Sequence, residues 1–177
     1  MVSWVCMNVG LISDTHGHLS EAAVRALSGV DLIVHAGDVG LPDILDDLQD
    51  LATVIAVRGN CDVPPLSEQL PSTTFVPTPA GILLVSHQPP GGDHTFASLK
   101  LPEMPRIIVF GHTHYPRIIE DGPRLLVNPG SAHRGRGAPP TVAVLHATDG
   151  TAPSFDFIDL SSGMPFPVSI SRRHARD

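Results

Sequence analysis

The feature that most constrains this chain is the regular alternation of short apolar runs with polar, turn-rich segments. Runs at residues 5–12, 31–35 and 53–57 have strand length, and residues 19–27 and 42–51 between them repeat apolar positions at helical spacing. Leu19, Ala23, Ala26 and Leu27 share one face of the first helical stretch. Ile44, Leu45, Leu48 and Leu51 share one face of the second, and Pro42 suits its first turn. A β-α-β-α-β order of this kind specifies a largely parallel sheet. The second half changes character. Residues 73–76 and 81–85 read as two arms of a hairpin, and 107–110 as a further strand. Asp121-Gly122 joins 118–120 to 125–127, and Asp149-Gly150 joins 141–146 to 154–160, both strong hairpin signals. This half is expected to be β-rich and antiparallel. Residues 161–177 read as a loose tail, and 131–140 as a flexible basic loop. The whole is expected to be one α/β (α+β) domain over 1–177, with its core at about 8–160.

Composition narrows the function. Apolar residues make up 42% of the chain and charged ones 16%, which excludes disorder of the whole. Sixteen Gly and 18 Pro suit many short elements joined by tight turns. The formal charge of −7 and an aromatic content of 5% speak against bulk nucleic-acid binding, which calls for a basic face or stacking platforms. Cys6 and Cys61 form no disulfide framework. The apolar runs fall far short of the ~20 residues of a membrane helix, and the first residues lack the pattern of a secretory signal. The expectation is a cytoplasmic protein without a membrane partner. Phe166, Val168 and Ile170 in the tail offer apolar surface to this chain or to a second copy in a homo-oligomer.

Ten histidines are the compositional anomaly, and their positions matter more than their number. Asp14 and His16 follow the first strand, Asp38 the second and Asn60 the third. His87 follows the run at 82–85, and His112 and His114 follow the run at 107–110. In open α/β sheets these carboxyl ends line the ligand crevice. Two Asp, one Asn and four His give mixed N and O donors, suited to manganese, iron, zinc, nickel or cobalt. Seven donors exceed one tetrahedral ion and fit two divalent ions sharing a bridging carboxylate, for which Asp38 stands in the middle. Two ions roughly 3.5–4 Å apart are the recurring device of phosphoryl hydrolysis.

The run Asp14-x-His16, Gly37-Asp38, Gly59-Asn60, His87 and Gly111-His112-x-His114 resembles the calcineurin-like metallophosphoesterase superfamily. The Asn128-Pro129-Gly130-Ser131 run looks most like its small single-domain phosphodiesterase branch. The resemblance covers roughly residues 8–160. It implies a two-layer mixed β-sandwich flanked by helices, the metallophosphoesterase fold, with a di-metal site at one end. It also implies that Asp14, His16, Asp38 and His114 hold one ion, and Asp38, Asn60, His87 and His112 the other. Asp38, Asn60 and His87 are the expected catalytic residues.

The sequence departs from the superfamily pattern at two places. His87 is followed by Gln88 where the family often has Gly, and His94 offers a competing donor. Cys61 stands where many member phosphatases carry the His that protonates the leaving group. The expected activity is hydrolysis of a small phosphodiester by in-line attack of a metal-bridging hydroxide, with two divalent ions, manganese first among them. The rival readings are a phosphomonoesterase or nucleotidase, and a non-catalytic scaffold of the same fold. His18, Arg58 and Cys61 are candidate substrate contacts. His35 is expected in the core or behind the ligands, and His133, His146 and His174 at solvent-side or structural positions. Asn128–Ser131 is expected as a loop supporting His114.

Overall fold

The computed structural model describes residues 6–89 and 104–172. The first part runs β1 (Cys6–Ile12), α1 (Glu21–Ala26), β2 (Leu32–His35), α2 (Asp43–Gln49), β3 (Thr53–Ala56) and α3 (Leu66–Gln69). It continues with β4 (Thr73–Thr78), β5 (Gly81–Ser86), β6 (Ile107–Val109), β7 (Arg117–Asp121) and β8 (Arg124–Asn128). It ends with β9 (Thr141–Thr148), β10 (Ser154–Asp159) and β11 (Ile170–Arg172). The strands form two mixed sheets, ordered β10-β9-β1-β2-β3 and β11-β7-β8-β6-β5-β4.

Side-chain alternation explains why the sheets stack. Successive residues of a strand point to opposite faces. Val9 and Leu11 of β1 and Val34 of β2 meet Leu83, Val85, Val109 and Val127 of the second sheet in one core cluster. Ile12 and Ile33 point the other way, where Ala23 and Leu27 of the α1 region and Ile44 and Leu48 of α2 cover them. Each fully buried Leu or Ile stabilises by ~1.5–3 kcal/mol over its exposed state. The chain is thus a two-layer sandwich with helices on the outer face of the first sheet.

The elements depart from expectation at four points. The C-terminal half is mixed, because β6 pairs in parallel with both β5 and β8. Asp121-Gly122 and Asp149-Gly150 do make antiparallel pairs, but β6 lies between parallel neighbours and is buried along its whole length, as central parallel strands are. The second departure is the tail, which is ordered at least to Arg172. Phe166 N–H donates to Phe157 O, Phe166 and Val168 pack against the inter-sheet core, and β11 runs parallel to β7. Pro165 and Pro167 hide this from a periodicity reading. Ile170 remains 56% exposed. Third, α1 is shorter than 19–27, since Ser20 caps it by accepting from Ala23 N–H. Fourth, α3 is a four-residue turn without enough sequence to show a period. His94 and His174 lie outside the described residues. Among the described residues, no helix is long and apolar enough to cross a membrane.

Candidate metal centre

Strand register brings the candidate donors together. Ile12, His35 and Ala56 are aligned at the carboxyl ends of β1, β2 and β3, so the loops carrying Asp14-His16, Asp38 and Asn60 leave side by side. Val85, Val109 and Val127 are aligned in the second sheet, so His87, the 111–114 turn and Asn128 leave side by side as well. Backbone bonds tie the loops to one another: Asp14 N–H donates to Gly37 O, His16 N–H to Asp38 O, and Gly111 N–H to His87 O.

The backbone of these turns is unusual in one respect. Among the described residues, five non-glycine residues have positive φ: Asp14 (54°), His16 (47°), Asp38 (55°), His112 (65°) and His114 (57°). All five are candidate ligands. Such conformations cost roughly 1–3 kcal/mol each and cluster at functional sites. Two glycines permit the close approach. A Cβ on Gly59 would land on Asp38 Oδ1, and one on Gly37, at φ +89°, would strike the His87 ring.

The side chains form one connected cluster. On one side His114 Nε2 lies 3.2 Å from Asp14 Oδ1 and 3.3 Å from His16 Nε2. On the other, His87 Nε2 lies 3.1 Å from Asn60 Oδ1, which is 2.9 Å from His112 Nδ1. Asp38 joins the halves, with Oδ2 3.9 Å from His16 Nε2 and 3.3 Å from His87 Nε2. Asp14, Asp38 and His87 are buried, and the His16 side chain is 29% exposed, so the cluster opens to solvent on that side.

A supporting layer fixes these groups. His87 Nδ1 lies 2.8 Å from Ala36 O, and His114 Nδ1 2.9 Å from Arg134 O. Each Nδ1–H is thereby committed to a carbonyl, which leaves the Nε2 lone pair facing the cluster. Ser13 Oγ donates to Asp14 Oδ2 and Gly130 O, and Ser131 Oγ donates to Asp14 O. Asn128 Nδ2 donates to Gly111 O and Thr113 Oγ1, supporting the turn that carries His112 and His114. The buried Asp62 carboxylate accepts from Gly40 N–H and Gly59 N–H, clamping the loops of Asp38 and Asn60.

Electrostatics follow from this packing. Burial works to raise the Asp38 pKa, but hydrogen bonds from His87 and the Cys61 N–H outweigh it and hold the carboxyl well below its usual range. Burial raises Asp14, against the Ser13 hydrogen bond and the His87 and His114 charges. For His87, burial is outweighed by Asp38 and the Ala36 carbonyl, and its pKa rises. His35 is enclosed behind the cluster and pushed down to about 3, chiefly by burial.

The candidate substrate contacts separate. His18 packs its ring against His133, with centroids 5.0 Å apart. Arg58 turns its guanidinium to the end of α3, where Nη1 donates to Ser67 O at 3.0 Å and Leu70 O at 3.4 Å. Cys61 joins the cluster, its Sγ within 4.8 Å of donor atoms of His16 and Asp38. His146 lies at the surface between Asn8 and Asp156. The sequence reading missed the proximity of His133 and the clamp by Asp62. The spacing Gly59-Asn60-x-Asp62 was a usable signal for the second.

A two-sheet sandwich with an Asp, Asn and His cluster at its strand ends defines a metallophosphoesterase-type protein. Residues 7–150 match the calcineurin-like phosphoesterase superfamily domain, and the chain belongs to that superfamily, whose members generally bind divalent metals. It is 36% identical over 149 residues to a protein of Methanothermobacter thermautotrophicus named "Probable metallophosphoesterase", covering 78% of this chain and 85% of that one. It is 32% identical over 160 residues to the phosphodiesterase YfcE of Escherichia coli strain K12, covering 76% and 84%. The solved structure of E. coli YfcE matches at 27% identity and TM-score 0.67, over 91% of this chain and 97% of that one. Vacuolar protein sorting 29 of Cryptosporidium parvum shares the fold at 20% identity, with TM-score 0.75 over 92% and 95% of the two chains.

Proposed function

We propose that this chain is a divalent-metal-dependent phosphodiesterase with two ions bridged by Asp38. Asp14, His16, Asp38 and His114 would hold one ion, and Asp38, Asn60, His87 and His112 the other. The observation that carries the reading is the coincidence of positive φ with donor identity at Asp14, His16, Asp38, His112 and His114. A fold has no reason to place five side chains in a costly conformation unless their convergence is used. The donor set fits divalent cations, because the Nε2 lone pairs of His87 and His114 and the Asp38 carboxylate converge with their outer hydrogen bonds already satisfied. Manganese is the first choice, and iron, zinc, nickel and cobalt suit the same N and O donors.

Ions bound there would generate a nucleophile from water near neutral pH and neutralise phosphoryl oxygens. The chain's own groups do the rest. Asn60 holds its Oδ1 toward His87 and His112 while its Nδ2 donates to Cys61 Sγ. Arg58 spends its guanidinium on the end of α3, so it does not serve the second charge of a monoester. The phosphodiesterase name of the E. coli relative supports a diester.

The test is metal content and turnover together. Protein purified without chelator and reloaded with manganese should bind two ions per chain and hydrolyse bis(p-nitrophenyl) phosphate. Chelation should abolish turnover, and manganese should restore it. One ion or none, with no turnover, would remove the reading and favour a scaffold of the Vps29 kind.

A further inference from the structure

Resting on the phosphodiesterase reading, we propose that His18, His133 and Arg134 form a subsite for a second phosphate carried on one ester arm of the substrate. The two imidazoles come from loops already tied to the cluster. His18 ends the turn that begins at Thr15 and contains His16, with its N–H donating to Thr15 O. His133 and Arg134 both donate their N–H groups to Ser131 Oγ, and Ser131 itself donates to Asp14 O. Arg134 O receives the Nδ1 side of His114, and Arg136 N–H donates back to His114 O. The basic loop is therefore wound onto a ligand and not free in solvent.

The side chains complete the argument. The His18 and His133 rings lie 5.0 Å apart and tilted by 57°. Neither ring has a hydrogen-bond partner among the described residues. His133 is half-buried, and Arg134, next in the chain, is exposed. The loop of His133 carries Arg134 and Arg136 on a chain of net charge −7, so it is a local exception to the overall field. Two imidazole donors and a guanidinium suit a tetrahedral oxyanion better than a neutral base or sugar. His18 stands two residues after His16, the partly exposed member of the cluster. A diester phosphate held in the cluster would thus extend one arm over the subsite.

The experiment uses the manganese-loaded chain and two pairs of probes. Calorimetry compares thymidine 3′,5′-bisphosphate with thymidine 5′-monophosphate. Turnover compares thymidine 3′-phosphate 5′-(p-nitrophenyl phosphate) with the same ester lacking the 3′-phosphate. The 3′-phosphate should improve both binding and kcat/KM by roughly tenfold, the scale of one charge-assisted hydrogen bond. His133→Ala and Arg134→Ala should each reduce that ratio, and the pair should remove it. Equal affinity for the two nucleotides, or a preference that survives both substitutions, would overturn the subsite. Preference in calorimetry without turnover of either ester would instead uphold the subsite and remove the phosphodiesterase reading.

Discussion

His87 sets its Nε2 3.3 Å from Asp38 Oδ2 while its Nδ1 lies 2.8 Å from the carbonyl of Ala36, two residues before Asp38. One short turn therefore both orients the imidazole and supplies the carboxylate it faces. Gly37 sits between the two contacts, where a Cβ would strike the ring. The geometry of this pair depends on backbone placement more than on side-chain choice, which is how a site is held tightly enough to work.

The first prediction follows from the central place of Asp38. Asp38→Asn keeps the shape and removes the charge that both halves of the cluster share. Outer-shell substitutions at metal sites cost about 10–100-fold in affinity or activity, and a bridging ligand should reach or exceed the upper end. Metal analysis should show fewer than two ions per chain, and bis(p-nitrophenyl) phosphate turnover should fall at least about 100-fold. Full occupancy with normal turnover would exclude a bridging role.

Asn128 makes a stability prediction. It is fully buried, donates to Gly111 O and Thr113 Oγ1, and accepts from Gly130 N–H. Asn128→Asp replaces two donors with an acceptor facing a carbonyl. Leaving buried groups unsatisfied costs about 1–3 kcal/mol each, so a loss of about 3 kcal/mol is expected. Urea unfolding of the metal-free variant measures it, and a change under about 0.5 kcal/mol, typical of surface sites, would contradict the network.

His35 predicts acid sensitivity. Gly37 N–H donates to its Nδ1, which makes Nε2–H the donor to Thr15 Oγ1, and Thr15 Oγ1 donates in turn to Val39 O. The neutral ring is satisfied, and a proton on Nδ1 would face another N–H. Its pKa is lowered from 6.5 to about 3. The unfolded chain binds this proton below pH 6.5 and the folded chain does not, so this contribution is fully present above 6.5 and lost as pH falls toward 3. His87 has a raised folded pKa, so its contribution is complete below 6.5 and does not mask the slope. Between pH 6.5 and 4.5 His35 should contribute a loss of about 1.4 kcal/mol per pH unit over most of that range, offset in part by Asp14, whose raised carboxyl takes up its proton in the folded chain first. His35→Gln should flatten the slope, and an unchanged slope in that variant would assign it to other groups.

Much of this was legible because donors directly follow buried runs. The strands before Asp14, Asp38, His87 and His112 are short and apolar, so their ends were readable, and the structure brings all seven candidate side chains into one cluster. What stayed hidden depends on contacts distant in sequence. β6 pairs in parallel with both β5 and β8, an orientation that no local pattern encodes. Phe166 and Val168 pack against the core across two prolines that break any period. His133 reaches His18 only because Ser131 is anchored on Asp14, 117 residues away in sequence. Arg58 looked available for phosphate until the helix it caps was known.

The last prediction concerns Cys61. Its N–H donates to Asp38 Oδ1 at 2.8 Å, and its Sγ lies within 4.8 Å of donor atoms of His16 and Asp38. A second hydrogen bond, from the thiol itself to the Asp38 carboxylate, then burial and the surrounding carboxylates, push the thiol pKa above its ordinary value. The thiol thus stays protonated near neutral pH in the metal-free chain, and it is a weak hydrogen-bond donor and intrinsically a weaker acid than an imidazolium. A well-placed general acid contributes about 10²–10⁴-fold, mostly where the leaving alkoxide is basic. Esters of acidic alcohols, such as nitrophenyl diesters, should therefore be cleaved much faster than esters of simple alcohols. The rate should fall steeply as leaving-group pKa rises in a series of aryl and alkyl diesters. Cys61→His places an imidazole beside the same carboxylate and should flatten that slope by accelerating the slow substrates most. A flat dependence in the unmodified chain, measured where chemistry limits the rate, would mean that another group already protonates the leaving oxygen. His18 would then be the first residue to replace.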